Sequence, residues 1–157
     1  MNSLGRFTQE KPFMSSWLPS SPIRRIFEEA FNLGNLAVID QVTSPDLIAH
    51  NVIAGTPNGP QGLKLLVSIF RTAFPDLHCT VEDELVVGEK FAVRWSMRGT
   101  HQGMFLGNPP TGNHVDVLGI IFGRTENGRI SEDWILTDQL GILQQLGVVP
   151  PSGQRER

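Results

Sequence analysis

The spacing of hydrophobic positions divides the chain into a helical first part and a strand-rich second part. In residues 23–33 the apolar side chains recur every three or four positions, which is typical of a helix with one buried face. Ser21 stands where the N-cap of that helix belongs. Two further helices are predicted over 36–42 and 61–73, and Pro75 ends the second of them.

After Pro75 the hydrophobic period changes to two, which is typical of β-strands. Strands are predicted over 77–87, 91–97, 115–125 and 129–137. The Asn127-Gly128 pair indicates a tight turn between the last two strands. A final helix is predicted over 139–146, and residues 47–50 could form a short strand or a turn.

Helices that are separated along the chain from a meander of strands define the α+β class. We expect a cone-shaped α+β barrel, in which a curved antiparallel sheet wraps around the N-terminal helices and leaves an apolar pocket. This domain should span 23–149, between an irregular N-terminal arm over 1–22 and a flexible tail over 150–157. The expected lining residues are Phe27, Phe31, Trp95, Trp134 and Leu136.

Composition narrows the classes of partner and compartment. The chain has 157 residues, 39% of them hydrophobic, and a formal charge of −3, which disfavours nucleic acid as a partner. No apolar run is long enough for a secretion signal or a membrane helix, so we expect no membrane association. The single cysteine, Cys79, cannot form an internal disulfide. These features favour a cytoplasmic protein.

The predicted last strand places two carboxylates and a tryptophan on one face, because side chains alternate along a strand. A carboxylate beside apolar groups has its charged form disfavoured and can act as a proton shuttle. Asp138 is the main candidate for this role, although it could instead cap the final helix. Glu132 is a second candidate, although it could instead form an ion pair. The residues of this face are Glu132, Trp134, Leu136 and Asp138.

His50 and His101 are candidates for acid/base or orienting roles, although each could instead be a hydrogen-bonded structural residue. The four histidines do not have the spacing of a metal site, so no metal is expected. The glycine- and proline-rich loop over 103–112 is interpreted as the rim of the pocket. On that rim, Met104 and Phe105 would contact a hydrophobic ligand.

Several short motifs are spread over residues 23–147. They are Ser44-Pro45-Asp46, Phe74-Pro75-Asp76, Gly99-Thr100-His101-Gln102-Gly103, Pro109-Pro110-Thr111-Gly112, Gly128-Arg129-Ile130-Ser131-Glu132-Asp133-Trp134 and Gln145-Leu146-Gly147. Together they resemble the SnoaL-like polyketide cyclase (ester cyclase) family of the nuclear transport factor two-like superfamily. The resemblance implies the cone fold and a homodimer packed through the sheet. It also implies an aspartate acid/base at the end of the last strand, a position held here by Asp138, with His50 and His101 matching the family histidines.

The sequence therefore predicts a cofactor-independent lyase or isomerase that acts by acid/base chemistry on a small hydrophobic carbonyl compound. The reaction would be an aldol-type cyclisation or an isomerisation. One alternative is an epoxide hydrolase-like enzyme, in which Asp138 works with Arg94 or Arg98. Another is a non-catalytic dimer that binds a small ligand. In either case we expect a homodimer through the outer face of the sheet, with Ile121 and Ile135 on that face. The chain has no tyrosine, which excludes the tyrosine-dependent site of ketosteroid isomerase and disfavours the chemistry of scytalone dehydratase.

Overall fold

A computed structural model describes residues 20–151. The predicted arm up to residue 19 and the tail from residue 152 lie outside these residues. In chain order the elements are helix α1 (Pro22–Arg25), a π-helical turn (Ile26–Phe31), α2 (Ala37–Val42), β1 (Thr43–His50), α3 (Pro60–Ala73), β2 (His78–Val87), β3 (Lys90–Thr100), β4 (His114–Glu126), β5 (Arg129–Thr137) and α4 (Gln139–Gln145).

The five strands form one sheet in the order β1-β5-β4-β3-β2. This confirms the α+β class and the curved sheet, but the sheet is mixed rather than wholly antiparallel. Strand β1 is longer than the 47–50 segment suggested, and it pairs with β5 in parallel, from Thr43 beside Ile130 to His50 beside Trp134. The sequence pattern did not predict the first half of this strand, because Pro45 is a residue that strands usually lack. An edge strand tolerates a proline, and the register shifts between Thr43 and Ile48.

The first helix begins as predicted. The Ser21 hydroxyl accepts a hydrogen bond from the Arg24 backbone nitrogen at 3.2 Å, and Pro22 occupies the first turn. The helix then widens into the π-helical turn, which carries Phe27 and Phe31 into the interior. The two rings stack with their centroids 5.8 Å apart, so this turn supplies an aromatic wall to the inside of the cone.

The concave face of the sheet forms the rest of the core, whereas the convex face is half exposed. The inward residues of β3 are buried, as their alternation predicted; they are Phe91, Val93, Trp95 and Met97. On β4 the buried positions include Ile121, while Leu118, Ile120 and Phe122 point outward and are about half exposed. Ile121 pairs with Ile135 of β5, so both lie on the inner face. Their predicted place on the outer face is wrong.

Both faces of β4 and β5 carry apolar side chains, so the alternation alone did not identify the inner face. Strand β5 also contains a β-bulge. Next to the two-residue turn at Asn127-Gly128, Thr125 of β4 pairs with Ile130 of β5. The next residue of β4 away from the turn, Arg124, pairs with Glu132 rather than with Ser131. The extra residue, Ser131, shifts the register by one, and such a shift moves every later side chain to the opposite face. Within the described residues, no helix is long and apolar enough to cross a bilayer.

Candidate active site

A cavity lies between the π-helical turn, α3 and the concave face of the sheet. Its volume is about 70 Å³, room for several water molecules. Two smaller cavities of about 60 and 20 Å³ adjoin it, since all three share Leu66 and Ile135 as wall residues. The wall of the main cavity is mostly apolar and includes Phe27, Phe31, Trp95, Met97 and Ile121.

Asp133 places a carboxyl group in this apolar wall. Its side chain is buried, and its Oδ1 atom has no hydrogen-bond partner among the described residues. Burial raises the pKa of Asp133 to about 7; the charge of His50 opposes this shift, and that of Glu132 adds to it. A carboxyl group with a pKa near 7 can both accept and return a proton at neutral pH.

Sequence reasoning missed Asp133 because it chose the wrong face of the last strand as the inner one. It grouped Asp133 with Ile135 and Thr137, as the structure does, but placed Trp134 and Leu136 in the pocket. The structure identifies the inner face through the neighbouring strand, although a count from the Asn127-Gly128 turn without the bulge would have paired Gly123 with Glu132. Gly119 and Gly123 alternate with Ile121, and a Cβ atom at either glycine would collide with an inward aromatic ring, Trp95 or Phe91. Asp133 pairs with Gly123, which assigns it to the inner face.

Asp138 does not lie in the cavity. Strand β5 ends at Thr137, and Asp138 is the N-cap of α4, where its Oδ1 accepts a hydrogen bond from the Gly141 backbone nitrogen at 2.8 Å. Its side chain is exposed. The expectation that Asp138 faces inward is therefore wrong, and the capping alternative describes its position.

His101 is fully buried but does not border the cavity. Its Nδ1 accepts a hydrogen bond from the Thr111 backbone nitrogen at 3.2 Å, so the proton of a neutral ring lies on Nε2. The ring packs against Phe74 and Phe105, with centroids 5.6 and 6.5 Å away. These contacts anchor the 103–112 loop to the body of the protein.

His50 lies on the convex side of the sheet. Its Nε2 is 2.9 Å from Glu132 Oε1, and its ring stacks on Trp134 with centroids 4.9 Å apart. Glu132 also accepts a hydrogen bond from Arg124 Nε at 2.9 Å. The hydrogen bonds from His50 and Arg124 lower the pKa of Glu132. This group of residues is a surface cluster, separated from the cavity by the sheet.

Some of the predicted ligand contacts line a cavity, and the others lie on the surface. Trp95, Phe27 and Phe31 line the main cavity, and Phe105 lines the adjoining one of about 60 Å³. Met104 instead borders an open surface groove together with Leu106. The outward residues of β5 cannot reach the cavity, so their predicted contact with a ligand inside the cone is wrong; they are Glu132, Trp134 and Leu136.

The aspartate–arginine pair of an epoxide hydrolase-like site does not form around Asp138. Arg94 pairs with Asp83 at 2.6 Å, and Arg98 lies 3.6 Å from Asp116, both on exposed strand positions. Between residues 20 and 151 no group of three or more histidine, cysteine or acidic side chains could hold a metal ion. Cys79 is buried in the cavity wall, and burial raises its pKa to about 12.

An α+β cone with a buried acid in an apolar cavity defines a class of small-molecule-binding protein. Residues 21–146 match the model of the SnoaL-like polyketide cyclase family, and the chain belongs to this family. No curated protein sequence matches the chain significantly.

Solved structures agree with this assignment. A proposed polyketide cyclase of Bacillus cereus ATCC 10987 is 33% identical, with a TM-score of 0.72, over 82% of this chain and 79% of that one. IdmH of Streptomyces antibioticus, also a proposed polyketide cyclase, is 34% identical, with a TM-score of 0.69, over 80% and 96%. TsrD of Streptomyces laurentii is 26% identical, with a TM-score of 0.74, over 84% and 99%.

Proposed function

We propose that this protein is an acid/base enzyme that acts on a small hydrophobic carbonyl compound, with Asp133 as the acid/base. The observation that carries the proposal is the buried Asp133 carboxyl group, which borders an apolar cavity and has a pKa raised to about 7. A base with a pKa near the working pH combines a useful ionised fraction with enough proton affinity to attack a carbon acid.

The reaction begins when the Asp133 carboxylate removes a proton from the carbon next to the substrate carbonyl. The electrons of that C–H bond form an enolate. In a cyclisation the enolate carbon attacks a second carbonyl carbon of the same molecule, a C–C bond forms, and protonated Asp133 returns its proton to the new alkoxide. In an isomerisation the proton returns to a different carbon. Neither route consumes a cofactor, and both leave Asp133 as it began.

Deuterium incorporation tests the first step without the natural substrate. We expect the protein to exchange the protons next to the carbonyl of 1-tetralone for deuterium in D₂O, as followed by NMR. Asp133→Asn keeps the size of the side chain but removes the proton acceptor. The exchange rate should fall by about a hundred- to ten-thousand-fold. Asp138→Asn is the matched control, since Asp138 is exposed and caps α4, and it should keep the wild-type rate.

The same assay separates the alternatives. If 1-tetralone binds but its protons exchange only at the rate of buffer, the chain is a binding module rather than an enzyme. If exchange is lost in Asp138→Asn and kept in Asp133→Asn, the acid/base is Asp138 and the proposal is wrong. The dependence on pH gives a further check, because wild-type exchange should rise with pH and level off above about 7.

We also propose that two copies of the chain associate through the convex sheet face. This face carries large apolar side chains that are 38–66% exposed, an unusual concentration for a surface that meets only water. They are Leu118, Ile120, Phe122, Trp134 and Leu136. Phe122→Glu places a charge in this patch, beside Trp134. Sedimentation at micromolar concentration should give the mass of a dimer for the wild type and of a monomer for the variant; a monomeric wild type would contradict the proposal.

A further inference from the structure

Trp95 is a second polar group in the cavity wall without a partner. Its side chain is 6% exposed, and its indole nitrogen, Nε1, has no hydrogen-bond acceptor among the described residues. A buried donor without a partner destabilises the fold, since it gives up its hydrogen bond to water and gains nothing in exchange. When a ligand supplies the acceptor, the bound protein regains the hydrogen bond that the buried N–H group lost on folding.

The position of this indole is set by its neighbours. Trp95 pairs with Gly119 on β4, and its ring covers that glycine so closely that a Cβ atom at position 119 would lie 2.8 Å from Nε1 and 2.2 Å from Cζ2. On another side the ring packs against Phe27, with centroids 5.5 Å apart. The N–H group is therefore held in place before any ligand binds, which is the condition for an effective donor.

The strand register separates Trp95 from Asp133. Gly119 pairs with both Trp95 and Thr137, whereas Gly123 pairs with Asp133. The two paired positions, at Gly119 and at Gly123, are four residues apart on β4, which is roughly 13 Å along the strand. Ile121 and Ile135 lie between them and also line the cavity. Two residues that line the cavity, Asp133 and Trp95, thus stand four strand positions apart with apolar side chains between them.

We infer that the Trp95 indole N–H holds an acceptor oxygen of the substrate, remote from the carbon that loses its proton to Asp133. The substrate class is an elongated apolar compound with two oxygen functions, a reactive ketone at one end and a second carbonyl oxygen at the other. This inference rests on the proposed function for the place of the reacting carbon. Trp95 is a binding and positioning residue, and Asp133 remains the acid/base.

Two ligands of nearly equal shape test the inference. 6-Acetyl-1-tetralone carries the second oxygen, and 6-isopropyl-1-tetralone replaces it with a methyl group. The wild type should bind the acetyl compound about three- to tenfold more tightly than the isopropyl compound, the contribution of one neutral hydrogen bond. The Trp95 indole proton resonance should move downfield with the acetyl compound only. The Trp134 resonance is the internal reference, because that ring lies on the convex face.

Trp95→Phe should bind the two ligands equally. If that variant does not fold, 3-benzothienylalanine at position 95 keeps the ring shape and removes only the N–H group, and the same equality is expected. Equal binding by the wild type, a preference that survives loss of the N–H group, or no binding of either ligand would overturn the inference.

Asp133→Asn separates the two proposals: it should stop exchange at the ring CH₂ and keep the preference for the acetyl compound. Continued exchange with an intact preference would reject only the acid/base role.

Discussion

The two faces of strand β5 place neighbouring carboxyl groups in opposite environments. Asp133 points into the cone, where it is desolvated and its pKa is raised to about 7. Glu132 points outward, where His50 and Arg124 donate hydrogen bonds to it and lower its pKa. The two residues are adjacent in sequence and similar in chemistry. Their surroundings therefore favour proton transfer at neutral pH by Asp133, whereas the hydrogen bonds to Glu132 favour its ionised form.

The first effect expected from this comparison is a dependence of stability on pH that comes from Asp133. Its pKa is about 7 in the folded state and 3.8 in an exposed chain. Between these values the folded state holds one more proton, so the free energy of unfolding falls as pH rises. The wild type should lose up to about 4 kcal/mol relative to Asp133→Asn between pH 4 and pH 7.

Urea unfolding of both proteins across that range measures this difference. Carboxyl groups remote from Asp133 are common to the two proteins and cancel in the subtraction. Asp138→Asn should run parallel to the wild type. A difference curve between wild type and Asp133→Asn that stays flat from pH 4 to pH 7 would show that Asp133 is ionised normally in the folded protein.

The second prediction compares two neighbouring isoleucines of β4 on opposite faces. Ile121 is 5% exposed in the cavity wall, and Ile120 is 53% exposed on the convex face. Ile121→Ala should lower the free energy of unfolding by about 2–5 kcal/mol, since it removes buried surface and enlarges a cavity. Ile120→Ala should cost about 0.5 kcal/mol or less in dilute protein. Similar losses at both sites, measured by denaturant unfolding, would contradict the assignment of the faces.

The smallest effect is expected at Asp138, where strand β5 gives way to α4. Asp138→Ala removes the hydrogen bond to the Gly141 nitrogen and should cost about 1 kcal/mol. Asp138→Asn should cost almost nothing, because asparagine caps a helix about as well as aspartate. Thermal unfolding of the two variants at one pH checks this. A large loss in the asparagine variant would indicate a role of the Asp138 charge beyond capping.

Local patterns were enough to predict most elements. The predicted last strand, 129–137, has the same bounds as β5, and Asn127-Gly128 forms the turn before it, with φ angles of 51° and 76°. The Ser21 cap was also visible, since a cap depends only on residues a few positions away. Strand β1 was foreseen only as a short segment, because its partner β5 lies about 85 residues further along the chain.

Residue patterns were sufficient for most helices, the alternating strands, the apolar interior and the family, because each of these depends on local chemistry or on motifs spread over the chain. Which carboxyl group enters the cavity depends instead on strand pairing in the folded protein. One extra residue at Ser131 shifts the pairing of β5 with β4, turning Asp133 inward and Glu132 outward. Both faces of β5 mix apolar and acidic residues, so the alternation of residue types does not show which face is the inner one. The pairing of Asp133 with Gly123 identifies the inner face.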